Sequence, residues 1–217
     1  MNAPRRLLLT GFGPFEGVER NPTECLVKLL AQEAIPGVRI EVRVLPTSFE
    51  RAPAEIGKLL ASNPFDLVVH LGVSGRATGL VLERKAWNLA SCSKPDIDGS
   101  TLQKRPLDSS LPLDSPLETS LDLKRLLTSL TPRIAPIGLE ATISEDPGRY
   151  VCNATYFSSL RVRRDALFVH VPLARESVND DSAASRPTLA DLQSSLRVLI
   201  EQLLEQTRRS NQEERLT

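Results

Sequence analysis

The chain alternates short apolar runs with longer segments in which apolar residues recur at helical spacing. Residues 6–10 (Arg-Leu-Leu-Leu-Thr) predict a buried strand that ends in a glycine-rich turn. Residues 22–33 place Leu26, Leu29 and Leu30 on one helical face, with Asn21 as N-cap and Pro22 at the first helical position. Residues 38–45 alternate apolar and charged side chains, the pattern of a half-buried strand, and 49–62 predict a helix. Residues 65–73 (Phe-Asp-Leu-Val-Val-His-Leu-Gly-Val) form a continuous β-rich run, as in a central strand covered on both faces.

Further along, 79–88 resumes a strand pattern, and 91–119 is rich in Pro, Ser and Asp without periodicity. That irregular stretch reads equally as a lid or as a variable loop. Residues 121–130 predict a helix, 139–143 a strand, 150–160 a helix and 166–171 a strand. Residues 188–206 predict an amphipathic helix whose stripe is Leu189, Leu192, Leu196, Leu199, Ile200 and Leu203. A polar tail, expected to fray, occupies 207–217. Strands alternating with helices imply an α/β fold: a three-layer sandwich with a twisted, mostly parallel sheet and helices on both faces.

The 217 residues suit a single domain spanning 1–217. A formal net charge of zero gives no global electrostatic case for nucleic acid or an acidic membrane. No apolar stretch is long enough to span a bilayer. Arg5-Arg6 before Leu7-Leu8-Leu9 mimics a signal peptide, but the run is too short and Gly-Phe-Gly-Pro breaks it, so a cytoplasmic location is expected. The cysteines, Cys25, Cys92 and Cys152, are odd in number and widely spaced, which suits neither a disulfide framework nor a zinc site.

Three positions carry candidate chemistry. Cys152 falls at the start of a helix, where unpaired amides and the helix dipole favour a thiolate. His170 ends an apolar run, and functional groups of α/β sheets collect at the carboxyl ends of strands. Glu83 closes Gly79-Leu80-Val81-Leu82, and a carboxylate there would orient an imidazole. Each has a plainer reading: an inert buried thiol, a strand-end histidine, and an exposed glutamate paired with Arg84. The other histidine, His70, lies in mid-strand, where a hydrogen-bonded core role is expected. Gly11-Phe12-Gly13-Pro14-Phe15 does not fit a dinucleotide fingerprint, because Pro14 removes an amide that a phosphate cradle needs. Its two rings suit either a pocket wall or the core.

Four segments in order resemble the pyroglutamyl peptidase I family, closer to its animal-type branch. They are Thr10-Gly11-Phe12-Gly13-Pro14-Phe15 with Asn21-Pro22, then Glu83-Arg84 with Asn88, then residues 143–152 (Ile-Ser-Glu-Asp-Pro-Gly-Arg-Tyr-Val-Cys), then Phe168-Val169-His170-Val171-Pro172. The resemblance implies a cysteine peptidase that removes N-terminal 5-oxoproline from peptides through a thioester, without metal or cofactor. It assigns Cys152 as nucleophile, His170 as base and then acid, and Glu83 as the residue that orients His170. Phe12, Phe15, Asn21, Tyr150 and Val151 fall on positions that form or flank the pyrrolidone pocket. Val73, after the central strand, is a candidate to supply backbone groups for the lactam. Gly72-Val73-Ser74-Gly75-Arg76 and Ser93-Lys94-Pro95-Asp96 depart from the bacterial pattern, and Lys94 suits an apolar pocket only if it points to solvent. The expected partners are N-terminally pyroglutamylated peptides, with no nucleic acid, no membrane and no assigned oligomer. The alternatives are a divergent cysteine hydrolase of another cyclic or blocked amide, or a non-catalytic homologue that binds pyroglutamyl peptides.

Overall fold

A single six-stranded sheet organises the computed structural model, which describes residues 3–178 and 181–214. In chain order the elements are β1 (Arg5–Phe12), α1 (Pro22–Ala31), β2 (Val38–Leu45), α2 (Arg51–Ser62), β3 (Leu67–Val73), β4 (Leu80–Glu83), β5 (Lys85–Trp87) and β6 (Ala90–Cys92). They continue with β7 (Leu102–Arg105), β8 (Pro116–Glu118), α3 (Leu123–Ile134), β9 (Ala141–Ser144), α4 (Val151–Val162), β10 (Ala166–Val171) and α5 (Leu189–Glu214). The sheet order is β2-β1-β3-β10-β4-β9. The first four strands are mutually parallel, β4 pairs antiparallel with β10, and β9 runs parallel to β4.

Side-chain alternation divides the core into two apolar layers, one on each face. Leu7, Leu9, Val69, Leu71, Leu167 and Val169 pack with residues of α1, α3 and α5. Leu8, Val68, Ala166 and Phe168 face the other way and pack with residues of α2 and α4. This is the three-layer arrangement that the alternating strand and helix patterns imply. Local signals hold as well: Asn21 caps α1 by accepting from the Thr23 amide at 3.1 Å, with Pro22 behind it.

The structure differs from the sequence reading in three places. The strand pattern over 79–88 splits at Arg84, because β5 leaves the sheet to pair antiparallel with β8. The stretch 91–119 also contains β7, which pairs with β6, so it carries strands of both ribbons. Polar side chains rather than an apolar stripe hold this region. Asn88 Nδ2 donates to the carbonyls of Asp108, Leu111 and Pro112, and the Asp96 carboxylate accepts from the amides of Phe49, Asp98 and Ser100. Lastly, α5 continues to Glu214 rather than ending at Gln206, so part of the expected polar tail is helical, and residues 215–217 lie outside the described residues.

His70 takes the core role expected of it. It is fully buried on β3, with Nδ1 2.7 Å from Thr10 Oγ1 and Nε2 2.7 Å from Ser159 Oγ. Burial among neutral partners pushes its pKa down to about 3. The unfolded chain takes up this proton near pH 6.5 and the folded chain does so only near pH 3, so stability is lost as pH falls through that window. The loss amounts to about 1.4 kcal/mol per pH unit. We expect urea unfolding at pH 7 and pH 5 to show this dependence in the wild type and a flatter one in His70→Gln. Identical pH dependence in the two proteins would contradict the assignment.

Candidate active site

β10 presents Ala166, Phe168 and His170 toward the α2–α4 layer, because every second residue shares a face. The antiparallel register sets Phe168 opposite Glu83 and His170 opposite Val81. Glu83 and His170 are therefore diagonal neighbours on one face, within side-chain reach. Glu83 Oε1 lies 2.7 Å from His170 Nδ1, and both groups are buried. An ionised carboxylate only accepts, so Nδ1 carries the hydrogen and donates it, leaving Nε2 as the ring's other polar atom.

Cys152 is the second residue of α4, whose N-cap residue Tyr150 makes no side-chain capping bond. The helix reaches the sheet at Gly72, which pairs with His170 across β3 and β10. A Cβ on Gly72 would stand 2.7 Å and 2.8 Å from Phe168 Cζ and Cε1, and 3.1 Å from Cys152 Sγ. The missing side chain is what lets the thiol and the Phe168 ring meet the sheet there. The Phe168 ring in turn lies 4.9 Å from the His170 ring, centroid to centroid.

The start of α4 is also pinned from the side. Asn153 Oδ1 accepts from the Trp87 amide at 2.7 Å, and its Nδ2 donates to the Trp87 and Leu89 carbonyls at 2.9 Å each. Burial alone would lower the His170 pKa. Hydrogen bonds and charges from Cys152 and then Glu83 outweigh burial and raise it to about 9.

An open cleft of about 770 Å³ surrounds these groups. It is lined by Cys152, His170 and Glu83, and also by Phe15, Val73 and Tyr150 from the expected pocket set. Tyr150 is held by its hydroxyl, which donates to the Pro95 carbonyl at 2.9 Å, and by the edge of Phe49 at 5.3 Å. Burial, followed by the nearby Cys92 and Asp96, pushes its phenol up to about 12.

The remaining three expected pocket residues do not line the cleft. Phe12 is buried against Phe168 at 6.4 Å, because it ends β1 facing the α2–α4 layer. Val151 is fully buried in that layer. Asn21 is buried at the start of α1 and donates to the Gly13 carbonyl at 2.9 Å. Gly72 to Gly75 were candidates for oxyanion donors, whereas the sequence reading gave no site role to Asn153 or to Glu16, Arg76 and Asp146, which line the cleft. For Asn153 the signal available was an asparagine next to the candidate thiol. Lys94 is exposed and lines the cleft. Among the described residues, no cluster of three or more His, Cys, Asp or Glu could hold a metal ion, and no helix is long and apolar enough to cross a membrane.

The cleft brings a thiol, an imidazole and a carboxylate together on one α/β sheet. The pyroglutamyl peptidase family model matches residues 5–206, and the chain belongs to that family of enzymes. It is 32% identical over 180 residues to the pyrrolidone-carboxylate peptidase of Thermococcus litoralis, covering 80% of this chain and 79% of that one. It is 30% identical over 200 residues to the Chromobacterium violaceum protein of the same name, covering 91% of each. Among solved structures, the Thermococcus litoralis pyrrolidone carboxyl peptidase superposes with a TM-score of 0.82 at 27% identity, over 95% of this chain and 96% of that one. The Fervidobacterium islandicum AW-1 enzyme gives 0.81 at 28%, over 93% and 99%.

Gly72→Ala should destabilise the protein by about 1–3 kcal/mol through overpacking and also slow turnover, since it displaces Phe168 or the thiol. A thermal melt and a rate measurement on one preparation check this. An unchanged melting temperature and rate would show that the close approach imposes nothing.

Proposed function

We propose that this chain removes an N-terminal 5-oxoproline residue from peptides by thiol catalysis, with Cys152 as nucleophile, His170 as its proton carrier and Glu83 orienting His170. The observation that carries this reading is the Glu83–His170 hydrogen bond beside Cys152 in one cleft. In the first step Cys152 Sγ, its proton already held by His170, attacks the carbonyl of the 5-oxoprolyl residue. The uncapped first-turn amides of α4 lie beside Sγ and are suited to stabilise the oxyanion. The C–N bond then breaks, and His170 returns the proton to the leaving amine. A water deprotonated by His170 hydrolyses the thioester, His170 keeps that proton as the thiolate re-forms, and pyroglutamate leaves.

The ring end of the cleft fits a neutral lactam. Phe15, Val73 and Tyr150 offer apolar surface, and no side-chain carboxylate is needed to receive a blocked amino terminus. Asn21 supports this wall from behind, since its bond to Gly13 holds the turn that leads to Phe15. Phe12 and Val151 support it through the core. The whole chain acts as one domain in this reading, because both apolar layers share one sheet.

Release of a fluorophore from a pyroglutamyl amide tests the reaction. We expect turnover by the wild type and a loss of about 10³-fold or more in Cys152→Ala. No release from the folded wild type would favour hydrolysis of another cyclic or blocked amide, and thiol-independent release would remove Cys152 from the mechanism.

The pH profile tests the other two roles. His170 must be protonated to expel the amine, so the rate should fall as pH rises through about 9. Glu83→Gln takes away one of the two groups that raise the ring, so this alkaline limb should move to lower pH, with a smaller loss of rate than in His170→Ala. An unmoved limb would argue against Glu83 as the orienting group.

A further inference from the structure

The charged side chains around the cleft are not balanced along its length. Glu83 is committed to His170. Asp146 is committed to the Arg149 guanidinium and the Gly148 amide. Glu16 and Lys94 both belong to the ring end: Glu16 is among the charges acting on the Tyr150 phenol, and Lys94 adjoins Pro95, which accepts from Tyr150. The two carry opposite charges.

Arg76 stands elsewhere. It sits in the turn that runs from β3 across the end of β10 to β4, whereas Phe15 follows β1 on the other side of β3. The turn is fixed: the Ser74 amide donates to the Val171 carbonyl at 2.9 Å, and the Ala77 amide donates to the Ser74 carbonyl at 3.2 Å. Arg76 is exposed, lines the cleft and makes no ion pair among the described residues. Since the 5-oxoprolyl ring is neutral, a carboxylate that meets this guanidinium must come from the leaving portion of the substrate.

We infer that Arg76 forms a carboxylate subsite for the leaving portion of the substrate, so that the protein favours pyroglutamyl peptides carrying a negative charge next to the scissile bond. This rests on the proposed 5-oxoprolyl reaction, which assigns the ring to the Phe15 end. The charge has two chemical sources: the terminal carboxylate of a pyroglutamyl dipeptide, or an acidic side chain directly after the ring. A guanidinium fork receives either one. The subsite is exposed, so its effect is modest and screened by salt.

Three substrates separate the sources: pyroglutamyl-alanine, pyroglutamyl-alanine amide and pyroglutamyl-glutamate amide. At low salt we expect the wild type to favour at least one of the two anionic substrates over the neutral amide by about two- to fivefold in kcat/KM. Preference for pyroglutamyl-alanine assigns the terminal carboxylate, and preference for pyroglutamyl-glutamate amide assigns the side chain. In Arg76→Gln the ratio should fall to about one, in Arg76→Glu it should invert, and Arg76→Lys should restore part of it. Equal rates on all three substrates in the wild type, or a ratio unchanged in Arg76→Gln, would overturn the subsite while leaving the peptidase reading intact. Failure to cleave any of the three by folded protein would sink both.

Discussion

The register of β4 against β10 is the constraint on which the site depends. β4 has only four residues, yet it is the strand at which the sheet reverses direction. Its pairing puts Glu83 across from Phe168 and therefore diagonal to His170. A slip of one residue would turn Glu83 into the opposite apolar layer, beside Val169 and Val171, expel Leu80 and Leu82 from it, and leave the imidazole without its acceptor. Pairing along so short a strand is reinforced from both sides, by β9 in parallel and by Tyr156, whose hydroxyl donates to the Glu83 carbonyl at 3.0 Å.

The same sheet face treats its two histidines in opposite ways, and the difference lies in their neighbours. His70 and His170 are both buried, and both flank Phe168. His70 meets only the hydroxyls of Thr10 and Ser159, which accept or donate but carry no charge, so the neutral ring is favoured. His170 meets a carboxylate and a thiol at the end of its strand, and the cation is favoured despite burial. One ring thus serves as an uncharged tie between β1, β3 and α4. The other holds a proton where the cleft opens.

The periodic elements were legible in the sequence because each buries a stripe or an alternating face. Cys152, His170 and Glu83 were legible because each closes or opens such an element. What was not legible was held by polar side chains without a period. Asn88 and Asp96 organise the ribbons through backbone amides and carbonyls, and Asn153 fastens them to α4, none of which leaves a pattern in hydrophobicity. Motif position also says little about side-chain direction. Phe12 and Phe15 share one motif, yet Phe12 completes β1 and faces the core, while Phe15 follows Gly13-Pro14 and turns into the cleft. Val151 precedes Cys152 by one residue and lies on the inward side of the same helix.

The Glu83–His170 bond joins residues 87 positions apart, and β10 is the last strand of the sheet to be made. During synthesis, β4 therefore waits without its neighbour until the segment through Val171 has left the ribosome. Nascent chains that end between Glu83 and Val169 contain the carboxylate, and later the thiol, without His170. The cleft that brings the three groups together is therefore complete only when the sheet closes. Order of synthesis thus sets when the Glu83–His170 pair can form: only after the last strand is in place.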